Sequence, residues 1–282
     1  VTIDGESLDL TDDRYLPSSA VGTLLIEEAG ELIYISADNH SSIDGINFRN
    51  EDILTFDTHT GSWEIIFDGS DVGLFAENVN SFAKLSDGSY LMSFEKSLYL
   101  SGVGNVNNND IVRFVPTSLG SNTAGTFELY FDGSDVDLNS SAERIEAIAF
   151  APDGRLLIST YRSYNINGMT GKGSDILAFT PTSLGDDTSG AWELYFDGGD
   201  VGLSNQQQES VNGLWVDASN NELYLTTIGS FFIDPNFYGN GHDIFTCEAS
   251  SLGDTTSCIF NSFWQGTDYG FNYVNIDALW IE

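Results

Sequence analysis

Pairs of aspartate residues recur along this chain at the spacing of an internal repeat. In each of three units, one Asp opens a predicted β-strand, a second precedes a Gly where the next strand ends, and a third follows three residues after the second. These acids are Asp52, Asp68, Asp71, Asp110, Asp132, Asp135, Asp175, Asp197 and Asp200. Because neighbouring strand ends meet in an antiparallel hairpin, the first two acids of each unit are expected on one rim.

Two carboxylates about 4 Å apart repel each other by roughly 4 kcal/mol at an effective dielectric constant of about 20. A bound cation would remove this repulsion, and calcium accepts carboxylate and carbonyl oxygens together. Alternatively, each Asp caps its own turn by accepting hydrogen bonds from backbone amides. The sequence therefore predicts calcium ligands or turn caps at these positions. A weaker site is expected in the fourth unit, which has Gln265 in place of the paired Asp.

The acids belong to an octapeptide that organises the whole chain. FDGSDVGL at 67–74 returns as FDGSDVDL at 131–138, FDGGDVGL at 196–203, the divergent WQGTDYGF at 264–271 and IDGESLDL at 3–10. The first Asp of the complete copies stands at positions 4, 68, 132 and 197, which gives a unit of 64 or 65 residues. A repeat of this kind indicates a modular architecture.

Each unit contains four short β segments separated by turn residues, which predicts an all-β fold, a β-propeller of four-stranded blades. Four complete blades are expected at about 21–67, 79–131, 145–196 and 211–264 in a single domain of residues 1–282. Residues 1–4 and 273–282 are expected to form a partial fifth blade. Pro116 and Pro181 are expected to end the pairing of their strands, because proline has no amide hydrogen.

The charge of the chain excludes some partners. It carries 43 acidic and 9 basic residues, a formal net charge of −34, and its last basic residue is Lys172. Such a chain repels phosphate backbones, so we expect no nucleic-acid partner. No apolar run approaches the roughly 20 residues of a spanning helix, so no membrane span is expected.

Two segments carry a resemblance to known families. RIEAIAFAPDGRLLIST at 144–160 and SVNGLWVDASNNELYLTT at 210–227 resemble the inner strands of NHL-type and gluconolactonase-like propellers. The FDGSDVGL and FTPTSLG pieces resemble a repeat of secreted bacterial proteins of unassigned function, over nearly the whole chain. These resemblances imply a propeller and an extracellular location, and they bring no catalytic motif onto this sequence.

A second polar group stands at equivalent positions near the start of each first strand. Its members are Gly22, Asn80, Glu146, Asn212 and Asp277. First strands line the channel of a propeller, so these side chains are expected around the channel mouth. In gluconolactonase-like propellers a Glu, an Asn and an Asp hold a catalytic divalent cation, and Glu146, Asn212 and Asp277 match this set in residue type, without a motif that aligns them. The alternative is a channel mouth that is polar only because it is wet.

Cys247 and Cys258 flank one predicted hairpin and are expected to form a disulfide, which is typical of an oxidising compartment. Nucleophilic catalysis has little support. His40, His59 and His242 lie in loops or turns, and the sequence contains no G-x-S-x-G or H-E-x-x-H motif.

We therefore expect a secreted, non-enzymatic structural or adhesive propeller stabilised by calcium. Its partial blade would offer strand edges to a second copy, which predicts head-to-tail assembly into a filament or matrix. The alternatives are a metal-dependent, lactonase-like hydrolase at the channel mouth and a module that binds extracellular glycans. Glycan binding would require exposed aromatic rings on the loops, for which the candidates are Tyr161, Tyr164, Phe231, Phe232, Phe237 and Tyr238.

Overall fold

Four antiparallel sheets of four strands each form a ring in the computed structural model, which describes residues 30–205, 208–234 and 236–282. We number the blades in chain order and count the strands of each blade from the central channel outwards. The first strands of neighbouring blades contact one another around this channel. The prediction of an all-β, four-bladed propeller is confirmed.

The strands of each blade have the following bounds. Blade 1 contains Ile276–Ile281, Leu32–Ala37, Ile53–Asp57 and Trp63–Phe67. Blade 2 contains Val79–Lys84, Tyr90–Phe94, Ile111–Ser118 and Ala124–Phe131. Blade 3 contains Ile145–Phe150, Leu156–Thr160, Ile176–Ser183 and Ser189–Phe196. Blade 4 contains Val211–Asp217, Glu222–Thr227, Asp243–Ser251 and Ser257–Gln265.

The ring closes through the last strand of the chain, which corrects the expectation of a partial fifth blade. Ile276–Ile281 is the first strand of blade 1, where it pairs with Leu32–Ala37 in antiparallel register from Ile33 opposite Ile281. This pairing satisfies an edge that would otherwise stay open. The predicted strands at 1–4 and 21–26 lie outside the described residues.

The third strands are also longer than expected, because the prolines do not end their pairing. Those of blades 2 and 3 continue past Pro116 and Pro181 to Ser118 and Ser183. Each proline lies beside a register shift, where the ladder is irregular and a missing amide hydrogen costs less.

Large apolar side chains join one blade to the next. Phe67 and Phe131, which end the fourth strands of blades 1 and 2, are fully buried. Each makes an edge-to-face contact with a third-strand phenylalanine of the following blade, with ring centroids 5.1 Å apart for Phe67–Phe114 and 5.3 Å for Phe131–Phe179. The first residue of the repeated octapeptide is therefore a core residue between blades.

We call the end of the ring where the first strands begin the loop face. It carries the Asp–Gly turns, two of which form short 3-10 helices at Gly69–Val72 and Gly133–Val136. The equivalent Gln265–Gly266 turn forms one at Gly266–Tyr269, and a further 3-10 helix lies at Ser141–Glu143. Each blade also inserts a small loop hairpin between its second and third strands. These hairpins pair Ser41–Ile43 with Ile46–Phe48, Leu98–Leu100 with Gly104–Val106, Tyr164–Ile166 with Met169–Gly171, and Phe231–Asp234 with Phe237–Gly239.

No helix within the described ranges is long and apolar enough to cross a membrane.

Candidate functional site

The structure brings the first two acids of each unit together, and backbone amides engage both. Asp52 Oδ1 accepts a hydrogen bond from the Gly69 amide at 3.0 Å, and Asp52 Oδ2 accepts one from the Arg49 amide at 2.8 Å. Asp68 Oδ1 accepts from the amide and the hydroxyl of Ser70, at 3.1 and 2.6 Å. Amides likewise engage the acids of the next two blades, which are Asp110, Asp132, Asp175 and Asp197.

The third acid of each unit bonds to the following blade instead of joining the pair. Asp71 Oδ2 accepts a hydrogen bond from the amide of Thr123, in the outer hairpin of blade 2, at 2.9 Å. The Thr123 hydroxyl in turn accepts one from the Asp68 amide, also at 2.9 Å. We call this reciprocal contact the inter-blade clasp. It recurs between Asp135 and Thr188 and between Asp200 and Thr256.

The junction between blades 4 and 1 is built differently. The outer hairpin of blade 1 turns within residues 58–62 and is shorter than its counterparts. Aromatic rings pack at this junction instead. Trp63 stacks on Phe271 with centroids 5.7 Å apart, and Phe56 packs on Tyr269 at 4.7 Å. The ring is therefore held by polar clasps at three junctions and by aromatic packing at the fourth.

These contacts bear on the choice between turn caps and calcium ligands. Burial raises the pKa of Asp52 to about 6, opposed by the amides of Arg49 and Gly69 and reinforced by the charges of Asp68 and Glu51. In the described part of the chain, no group of three or more His, Cys, Asp or Glu side chains has a geometry that could hold a metal ion. Since both oxygens of Asp52 accept from N–H groups, the donor set fits a cap better than a cation. Calcium at the acid pairs stays a prediction.

Four polar residues, one from each blade, lie around the loop-face end of the channel in the order Asp277, Asn80, Glu146 and Asn212. The two carboxyl side chains thus come from opposite blades, with an amide on each blade between them. The amides tie neighbouring first strands: Asn80 Nδ2 donates to the Ile145 carbonyl at 2.6 Å, and Asn212 Nδ2 donates to the Ile276 carbonyl at 2.7 Å. The equivalent position Gly22 lies outside the described residues.

The carboxyl residues at the channel, Asp277 and Glu146, are both buried. Burial raises the pKa of Asp277 well above its ordinary value, although Asn78 Nδ2 donates to Asp277 Oδ2 at 2.7 Å. Burial also raises the pKa of Glu146 to about 7, although Arg144 Nε donates to Glu146 Oε1 at 2.6 Å. The Arg144 guanidinium lies over the Tyr161 ring, 4.0 Å from its centroid. The four polar residues around the channel join neighbouring blades. Their role in binding a ligand or a metal stays a prediction.

The loop hairpin of blade 4 exposes two adjacent aromatic rings. Phe232 and Tyr238 are direct cross-strand partners, with exposed fractions of 59% and 71%. Cross-strand partners project from the same side of a two-stranded ribbon. Phe231 projects from the other side and is buried against Phe245, with centroids 4.4 Å apart. The aromatic pair is therefore held outward by an anchored hairpin.

The other aromatic candidates are less accessible. Tyr164, like Phe231, is buried, and Tyr161 and Phe237 are half-buried. The sequence pattern did not indicate Tyr273, which precedes the last strand and has an exposed fraction of 85%.

A cavity of about 470 Å³ lies at the base of the blade 4 hairpin. Tyr273 and His242 line it together with the polar residues Gln208, Ser230, Asn240, Asn272 and Asn275. Amides and hydroxyls both donate and accept hydrogen bonds. The cavity therefore suits a polar, uncharged ligand.

Cys247 and Cys258 form a disulfide across the outer hairpin of blade 4, with their Cα atoms 5.3 Å apart. Cys247 is buried in the core between blades 3 and 4. The bridge therefore fixes the outer hairpin to the core of the blade that carries the exposed aromatic pair.

Several residues with structural roles were missed by the sequence patterns. Thr123, Thr188 and Thr256 had a detectable signal, because each stands three residues after the Gly of a TSLG or SSLG segment. Glu209 had no such signal. It is buried, and its Oε1 accepts from the Phe232 amide at 2.9 Å, which holds the aromatic hairpin in place.

No protein-family profile matches this chain, and a search of curated proteins gives no match. The resemblance of the inner strands to NHL-type and gluconolactonase-like propellers therefore stays a prediction. Among the solved structures that match are two at 14% and 11% sequence identity. The first is YCF48 bound to D1 peptide, with a TM-score of 0.28; the match covers 77% of this chain, which spans 59% of that one. The second is a protein of unknown function from Bacteroides caccae, with a TM-score of 0.35 and coverage of 89% and 98%.

Proposed function

We propose that this chain is a secreted, non-catalytic adhesion propeller that binds uncharged carbohydrate on its loop face. The observation that carries the proposal is the exposed pair Phe232–Tyr238 on an anchored hairpin. Paired rings offer a flat apolar surface at a low cost in conformational entropy, and exposed apolar patches of this kind mark binding sites. A sugar ring would present C–H groups to such a surface, and hydroxyls of a longer carbohydrate would reach the polar cavity at the base of the same hairpin.

The charge distribution supports an uncharged ligand. Residues 173–282, which include all of blade 4, contain no Lys or Arg. An anionic ligand would find no Lys or Arg within this blade, where His242 is the one basic side chain, whereas a neutral polyol needs only the amides and hydroxyls that are there. The disulfide supports the secreted location, because such bridges persist in oxidising compartments.

The competing interpretations have less support. A lactonase-like hydrolase would need Glu146 and Asp277 open to substrate, but both are buried and engaged by Arg144 and Asn78. Strand exchange would need a free strand at 276–281, but that strand pairs within blade 1. Adhesion through a surface ligand needs neither.

Binding to a panel of uncharged polysaccharides tests the proposal. The double variant Phe232→Ala/Tyr238→Ala should lose at least tenfold in affinity. The variant Ile259→Ala, which removes an exposed apolar side chain from the outer strand of the same blade, should bind as the wild type. Because the ligand carries no charge, binding should not weaken between 50 and about 500 mM NaCl. The absence of binding to any uncharged polysaccharide, or equal binding by the double variant, would contradict the proposal.

A further inference from the structure

Glu51 is buried without a partner. Its exposed fraction is 0%, and neither of its carboxylate oxygens has a hydrogen-bond partner. An uncompensated carboxylate in a protein interior costs several kcal/mol. Buried polar groups in native proteins are nearly always satisfied, so this side chain points to a missing positive group.

The repeat shows which residues stand at the position of Glu51 in the other blades. The residue before the strand-opening Asp is Glu51 in blade 1, Asn109 in blade 2, Ser174 in blade 3 and His242 in blade 4. Ser174 Oγ and His242 Nε2 are also buried without a hydrogen-bond partner, but neither is a carboxylate. Glu51 and Asn109 lie directly beneath the Gly of their turns, since a Cβ added to Gly69 or Gly133 would meet the carbonyl oxygen of the residue below. The two sites are therefore structurally equivalent.

In blade 2 this position supplies a hydrogen-bond donor. Asn109 Nδ2 donates to the carbonyl oxygen of Leu138. Leu74 is the counterpart of Leu138, because each donates its own amide to the carbonyl of the turn Gly at 2.9 Å. An ionised carboxylate has only acceptor oxygens, so Glu51 cannot replace the donor of Asn109. Positive charge between acceptor oxygens would resolve the mismatch.

The Glu51 residue lies in the wall of a cavity of about 460 Å³, although its side chain is buried. Asp52, Asp68 and Asn47 line this cavity, and the basic residues Arg49 and His40 line it as well.

We propose that a divalent, oxygen-seeking cation of the calcium type binds the Glu51 carboxylate beneath the Gly69 turn and links it to nearby carbonyl oxygens. Calcium accepts carboxylate, carbonyl and water oxygens in irregular sets, so three acidic ligands are not needed. The site is distinct from the carbohydrate surface on blade 4. It is also distinct from the repeated acid pairs, because only blade 1 has a Glu at this position.

Calorimetric titration of the chelator-treated chain with CaCl2 tests the proposal, with MgCl2 as a comparison. The wild type should bind one calcium ion with an affinity at least tenfold above that of Glu51→Gln. The matched control Glu64→Gln removes one exposed carboxylate from the same blade and should bind as the wild type. In chelator, Glu51→Gln should melt no lower than the wild type, because its amide can donate where Asn109 does.

Two further variants separate this site from the acid pairs. Asp132→Asn changes the equivalent turn of blade 2 and should leave calcium affinity unchanged. The proposal is overturned if the wild type binds no calcium, if Glu51→Gln binds as tightly as the wild type, or if Asp68→Asn and Asp132→Asn weaken binding equally while Glu51→Gln does not. If Glu51→Gln fails to fold, Glu51→Asn replaces it, and the wild-type titration retains its power to overturn the proposal.

Discussion

The amide of Thr123 donates to the carboxylate of Asp71 across the boundary between blades 1 and 2, and the Thr123 hydroxyl accepts from the amide of Asp68. One threonine thus uses its backbone and its side chain on two residues of the same repeated octapeptide. The two most regular segments of the sequence, FDGSDVGL and PTSLG, are therefore complementary surfaces of adjacent blades.

Replacing Thr123 by Val should lower the free energy of unfolding by about 1–2 kcal/mol, because the Asp68 amide loses its acceptor in a buried place while the side-chain shape is kept. Urea denaturation measures the change. Thr117→Val, at an exposed position of the same hairpin, should stay within about 0.5 kcal/mol of the wild type. Equal stabilities of the two variants would show that the hydroxyl of Thr123 contributes nothing to the clasp.

Gly199→Ser should stabilise the chain by about 0.5–1 kcal/mol. Gly199 stands where blades 1 and 2 have Ser70 and Ser134, whose hydroxyls each donate to the preceding Asp at 2.6 Å. An added Cβ would meet only Asp197 Oδ1, at 3.1 Å. Thermal and urea unfolding measure the gain, and Ser134→Gly should give a loss of similar size. A destabilised Gly199→Ser would mean that the blade 3 turn cannot adopt the backbone of the other two.

The stability of the chain should fall as the pH rises from about 4.5 to 7, partly through Glu146. Burial raises its pKa from 4.5 to about 7 in the folded chain, so the folded state favours the protonated acid. This contribution is complete below pH 4.5 and is lost as the pH passes through 7. Glu146→Gln should reduce the decline by about 3 kcal/mol, since one pKa unit corresponds to about 1.4 kcal/mol. Urea denaturation at a series of pH values measures the free energy of unfolding of both proteins. If the wild type and Glu146→Gln lose the same stability between pH 4.5 and 7, the assignment to Glu146 is wrong.

Removing the disulfide by Cys247→Ala/Cys258→Ala should cost about 3 kcal/mol, in the range expected when a loop this short is opened in the unfolded chain. Guanidinium denaturation measures the loss. The wild type in reducing agent should match the double variant to within about 1 kcal/mol. A reduced wild type as stable as the oxidised one would show that the bridge is dispensable for stability.

The sequence predicted the features that depend on local rules. Asp followed by Gly at a strand end identified the turns, and the recurrence of Asp52 with Asp68 placed the two acids on one rim, where the Gly69 amide does bond to Asp52. The ring of Asn80, Glu146, Asn212 and Asp277 followed from equivalent positions on the first strands. Such inferences need only the register of a hairpin and the period of the repeat.

Contacts between blades could not be predicted in the same way. Thr123, the partner of Asp71, lies 52 residues away in the sequence. The local sequence around either residue does not show that the outer hairpin of one blade contacts the preceding blade. The closing position of the last strand was missed for a similar reason, since a first-strand pattern does not show which second strand it joins. Glu51 was missed because its position differs in every blade, being Asn109, Ser174 and His242 in the others.

The pairing of the last strand with blade 1 also bears on how the chain folds. The Tyr34 hydroxyl bonds to Glu282 across 248 residues of sequence, whereas the strands of blades 2, 3 and 4 are each contiguous in the chain. A loop of that length closes late, because its entropy must be lost before the contact forms. During synthesis, blades 2 and 3 can assemble while blade 1 still presents an unpaired strand edge. The nascent chain is therefore most exposed to misassociation until residues 276–281 emerge and seal the first blade.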